Sequence, residues 1–64
     1  MNKGDIILVK NYIGKYEEFI NVGFHNGDNA FSRVDNNSNE MLFINDYELE
    51  ELISKGHIID TKEE

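Results

Sequence analysis

The sequence predicts a small, mainly β domain of the α+β kind: five strands, as a barrel or an open antiparallel sheet, with one short helix before the last strand. Three observations carry this. Apolar runs of strand length, such as Ile6-Ile7-Leu8-Val9 and Met41-Leu42-Phe43-Ile44, are separated by polar turn residues. An Asn26-Gly27 pair sits between two alternating segments, and Asn-Gly tolerates the positive φ that closes hairpins. A stretch with apolar residues at helical spacing follows the fourth run.

Taken in order, Asp5–Lys10 reads as the first strand, and its unbroken apolar centre predicts burial on both faces. Asn11–Lys15, with Gly14, is a loop, and Tyr16–Phe24 is the second strand. In it Ile20, Val22 and Phe24 share one face, while Phe19, Asn21 and Gly23 share the other. His25-Asn26-Gly27-Asp28 turns the chain and Asn29–Asp35 returns as the third strand. A three-residue loop puts Ile20 and Val22 with Ala30, Ser32 and Val34, and Phe31 on the opposite face; a two-residue loop mixes the faces, so the longer loop is expected. Asn36-Asn37-Ser38-Asn39 is a second turn, since short polar side chains bond their own backbone.

Met41–Ile44 is the fourth strand, and a helix starts at Asn45 or Asp46. Asn45 with Glu48 has the spacing of a capping box. Leu49, Leu52 and Ile53 form the apolar stripe, and Gly56 is a fitting stop. His57–Asp60 is a last short strand, and the end of the chain, residues 60–64, is expected to fray. With 64 residues the chain is one domain, 1–64, with a thin core.

This order, with the opening Lys3-Gly4-Asp5-Ile6-Ile7-Leu8-Val9 and the segment Asp46-Tyr47-Glu48-Leu49-Glu50-Glu51-Leu52, resembles small bacterial and phage SH3-like barrel modules over about residues 3–60. The resemblance implies a binding domain working through loops and one exposed face. It implies no particular chemistry, because function resides in sites and not in the fold.

The charge is uneven. Residues 1–34 carry four acids (Asp5, Glu17, Glu18, Asp28) and four bases (Lys3, Lys10, Lys15, Arg33). Residues 35–64 carry nine acids and only Lys55 and Lys62 as bases, which accounts for the whole net charge of -7. Such a field attracts basic partners and repels phosphate backbones, so direct nucleic-acid binding is disfavoured. The expected function is a non-catalytic protein-binding module whose acidic residues Asp35, Glu40, Asp46, Glu48, Glu50, Glu51 and Asp60 dock on a basic protein. A nucleic-acid-handling host enzyme, inhibited by a DNA-mimicking surface, is the expected target. Abundant Asn and Ile with no Pro fit a phage or mobile-element accessory protein by association only. The bland alternative for these acids is a capped, solvated helix face.

A second expectation is an adaptor that binds peptide or nucleic acid through the neutral half, with Tyr12, Tyr16 and Arg33 as contacts beside Lys3, Lys10 and Lys15. Phe24 and Phe31 are expected in the core. A third expectation is a homodimer that completes the burial of Ile6–Val9.

No catalytic, cofactor or metal site is expected. Ser32, Ser38 and Ser54 have no adjacent base at a nucleophile's spacing. Asp35-Asn36-Asn37-Ser38-Asn39 resembles the start of a calcium loop, but Glu40 stands where the sharp turn needs glycine. Cysteine is absent and His25 and His57 lack ligand-spaced companions. With no basic leader before a long apolar segment and no run of membrane-spanning length, the expected location is the cytoplasm.

Overall fold

The computed structural model describes residues 1–35 and 39–63. Five antiparallel strands form one open sheet in the order β4-β3-β2-β1-β5: β1 (Ile6–Lys10), β2 (Tyr16–His25), β3 (Asp28–Arg33), β4 (Met41–Ile44) and β5 (Ile58–Asp60). One helix, α1 (Asp46–Ser54), lies between β4 and β5, so the open-sheet alternative is the one adopted. The turn expected over residues 36–39 lies outside the described residues except for Asn39.

Alternation decides the two faces. Ile7, Phe19, Phe31 and Ile58 point to the side that α1 covers, and with Leu49 of the helix they form the buried core. Val9, Leu42, Ile44, Leu52, Ile53 and Met1 pack around it. The opposite face carries Ile6, Leu8, Ile20, Ser32 and Met41, all only partly covered or exposed. Burial of β1 on both faces is therefore corrected: Ile7 is fully buried, whereas Ile6 and Leu8 are half-buried, because no layer covers their side.

The hairpin corrects the expected loop and explains why the expected pairing holds in its distal part. His25 pairs with Asp28, leaving a two-residue turn of Asn26 (φ 53°) and Gly27 (φ 86°). That register alone would mix the faces. A bulge between Asn21 and Gly23 inserts one residue, so beyond it Ile20 faces Ser32 and Phe19 faces Arg33. For Phe19 to Asn21 the bulge restores the pairing that a three-residue loop would have set; between bulge and turn it does not, and Phe24, paired with Asn29, lies on the face opposite Ile20. Phe24, between the bulge and the turn, is 64% exposed and does not join the core, although its partner Asn29 is buried.

The bulge is held by buried Asn21, whose Oδ1 accepts from Gly23 N at 2.8 Å, and by Gly23 at φ 116°. A side chain at that φ is strained whatever space surrounds it. Gly23→Ala is expected to lower stability by about 1–3 kcal/mol. Urea unfolding measures this, and an unchanged midpoint would show that the bulge tolerates a Cβ.

Helix α1 starts and stops where the sequence says. Asn45 Oδ1 accepts from Glu48 N at 2.7 Å, and Asn45 Nδ2 donates to Glu48 Oε1 at 3.1 Å. At the other end Gly56 N donates to Ile53 O at 3.1 Å and His57 N to Leu52 O at 3.0 Å, the paired bonds of a Schellman cap. Buried Asn29 ties the helix start to the sheet, donating from Nδ2 to Ile44 O at 3.0 Å and to Asp46 Oδ1 at 2.8 Å. Thr61–Glu63 form a 3-10 turn, and Thr61 Oγ1 donates to Ile6 O at 2.8 Å.

Candidate functional site

The helix presents its acids by simple periodicity. With Leu49, Leu52 and Ile53 turned to the sheet, Asp46 and Glu50, four apart, share one flank, and Glu48 and Glu51 lie on the outward side. On the first flank, Asp46, Glu50 and Asp60 of β5 surround a hollow of about 360 Å³. Its floor is apolar: Leu49, Ile53 and Met1. Tyr47, at 77% exposure, stands beside it on α1.

The seven carboxylates expected to act together fall into two groups. Asp46, Glu48, Glu50, Glu51 and Asp60 lie on α1 and β5. Asp35 and Glu40 lie at the far end of β4, which is about 13 Å of extended chain away. There Glu40 is held by Arg33, which also bridges to Glu17. Asp35 lines a separate hollow with Glu17, Glu18, Arg33 and Val34. The split follows from β4, whose two ends carry the two groups.

Own-chain neutralisation is uneven too. Glu51 pairs with Lys55 at 2.8 Å, and Lys62 pairs with Asp5 at 2.9 Å. Among the described residues, no Lys or Arg lies within ion-pairing distance of Asp46, Glu48, Glu50 or Asp60. The hollow on the α1 flank is thus lined by three carboxylates over an apolar floor, with no lysine or arginine in its lining. It fits a lysine or arginine side chain, with the stem on the apolar floor and the charge among the carboxylates.

The contacts expected in the neutral half come together only in part. Tyr12 is 99% exposed in the loop after β1, where Asn11 Oδ1 accepts from Ile13 N at 3.0 Å and Lys15 N at 2.9 Å. It shares a hollow with Lys10 and Arg33. Tyr16, however, donates its hydroxyl to Gly56 O at 2.9 Å, and Lys3 and Lys15 lie outside that hollow. Arg33 is committed to Glu17 and Glu40 and lies 5.3 Å from the centre of the Phe19 ring. Its pKa is raised, chiefly by the bond to Glu40 and then by that to Glu17.

Two carboxylates are held below their usual range. The Asn2 backbone N–H, donating to Asp5 Oδ2 at 2.8 Å, lowers Asp5, and Lys62 lowers it further. Asn11 Nδ2, donating at 3.0 Å, lowers Glu17, followed by Arg33. A depressed folded pKa contributes stability that is present above the unfolded value, about 3.9 for Asp and 4.3 for Glu, and is lost as pH falls through the folded value. The fold is therefore expected to lose stability below about pH 4. Asp5→Asn should flatten that acid limb in thermal melts taken across pH, and an unchanged slope would remove Asp5 from the account.

Among the described residues, no three His, Cys, Asp or Glu are grouped to hold a metal ion, and no helix is long and apolar enough to cross a membrane. No family model, no curated protein and no solved structure matches the chain.

Proposed function

We propose that this chain is a non-catalytic protein-binding module that acts in the cytoplasm and docks on a basic partner through α1 and the end of β5. One observation carries the reading: Asp46, Glu50 and Asp60 converge on a hollow with an apolar floor and no lysine or arginine in its lining. The net charge of -7 supports long-range attraction of such a partner, and exposed Tyr47 offers contact area beside the charges. A protein whose basic groove normally holds phosphates is the partner class this favours, and occupancy of that groove would inhibit it. The residue usage noted above agrees with a phage or mobile-element origin.

The test is a residue-resolved NMR titration with a short lysine- and arginine-rich peptide. Shifts are expected at Met1 and across residues 46–60. They should weaken as salt cuts the screening length from about 10 Å at 0.1 M to about 3 Å at 1 M. Shifts confined to Tyr12, Tyr16 and Arg33, or binding that salt leaves unchanged, would overturn the proposal.

A further inference from the structure

Among the described residues β4 ends the sheet, with β3 as its one strand neighbour. The phase of its ladder follows from a single bond: Arg33 N donates to Glu40 O at 3.2 Å, so Arg33 and Glu40 form a hydrogen-bonded pair. Antiparallel ladders alternate, and the register pairs Phe31 with Leu42 and Asn29 with Ile44. Leu42 and Ile44 therefore spend their backbone groups on β3. Met41 and Phe43 aim theirs the other way, along the rim of the sheet.

Natural sheets blunt such rims with lysine, proline, bulges or inward charges, or keep the strand short. Within β4 only shortness applies, since Met41-Leu42-Phe43-Ile44 holds no charge or proline and its register with β3 is unbroken. The opposite rim differs: β5 has three residues, one of them Asp60, and α1 packs on it. Met41 and Phe43 are also 40% and 51% exposed, on the face that no helix covers, with the His25 ring 5.5 Å from that of Phe43.

We infer that a second copy of this chain pairs antiparallel along β4, extending the sheet across a two-fold axis at Leu42. That occupant follows from the register and from the side chains it brings together. A two-fold at Leu42 sets Met41 against Phe43 of the second copy, and Phe43 against its Met41. Both pairs have outward-pointing backbone groups, so four hydrogen bonds form between the copies. The same pairing stacks Met41 on Phe43 twice on the outer face and sets Leu42 beside Leu42 on the other. The one carboxylate bordering this strand on its N-terminal side, Glu40, is turned to Arg33. Met41–Ile44 itself carries no charge, while Arg33 is shared between Glu40 and Glu17 and each chain carries -7 overall.

Two consequences set this inference apart from docking on a basic partner. Like net charges oppose the pairing, so added salt strengthens it, whereas salt weakens the docking. A four-residue seam is also far smaller than a standard interface, so the dimer is weak and concentration-dependent.

The experiment is sedimentation velocity combined with amide hydrogen exchange, from about 10 µM to about 1 mM, at low and high salt. Dimer should grow with concentration and with salt. The Met41 and Phe43 amides should slow by about tenfold or more over that range, while those of Leu42 and Ile44 are already protected at the lowest concentration. Phe43→Lys should keep the chain monomeric, and Tyr47→Lys, the same charge change on α1, should leave the dimer intact. A chain monomeric throughout, Met41 and Phe43 amides that exchange fast at every concentration, or a dimer that survives Phe43→Lys would overturn the inference.

Discussion

Replacing Phe31 with alanine is expected to leave most of the chain unfolded at 25 °C. Phe31 is fully buried at the centre of β3, between Asn21 on β2 and Leu42 on β4, and belongs to the one buried apolar cluster formed by the described residues. Removing a buried phenyl ring costs about 3–5 kcal/mol, because the cavity is only partly filled by relaxation. A domain of 64 residues has about 3–10 kcal/mol of stability in all. The loss is therefore comparable with the whole. Far-UV circular dichroism and urea unfolding measure it, with Phe24→Ala as the comparison. Phe24 is 64% exposed, so its truncation should cost less than about 1 kcal/mol. A small effect at Phe31 would mean that the core can collapse around the gap.

The second large effect concerns docking. Glu50→Lys is expected to weaken binding of the basic peptide by about 30-fold, equivalent to about 2 kcal/mol. The new ammonium would stand four residues from Asp46 and near Asp60, placing the chain's own cation in the hollow. It should not unfold the helix, because an Asp–Lys pair at that spacing adds about 0.2–0.5 kcal/mol of local support. Glu18→Lys makes the same change in net charge on an exposed residue of β2, outside the hollow, and should cost no more than about threefold. Equal losses for the two variants would show that total charge, and not this hollow, governs the binding.

Local chemistry made much of the fold legible. Asn45, Glu48 and Gly56 mark the helix ends through bonds that each residue makes with its near neighbours. Asn26-Gly27 marks the hairpin because few other pairs accept its backbone angles. The candidate site was only partly legible. Asp46 and Glu50 share a flank by helical period alone, but Asp60 joins them because β5 lies next to β1 under the helix. Nothing local tells that Glu40 turns to Arg33, or that Met1 helps to floor the hollow.

The buried asparagines show the same boundary. Asn21 and Asn29 read as ordinary polar residues of strands, yet one secures the bulge and the other joins β3 to the end of β4 and the start of α1. The sequence by itself determined the strand segments, the helix, the hairpin position and the excess of acid after residue 34, because each depends on neighbours within a few positions. Tertiary structure alone decided the bulge that rescues the register, the division of the acids into two groups and the exposed rim of β4. Those depend on which distant segments meet, and residues far apart in the chain carry no local mark of their future neighbours.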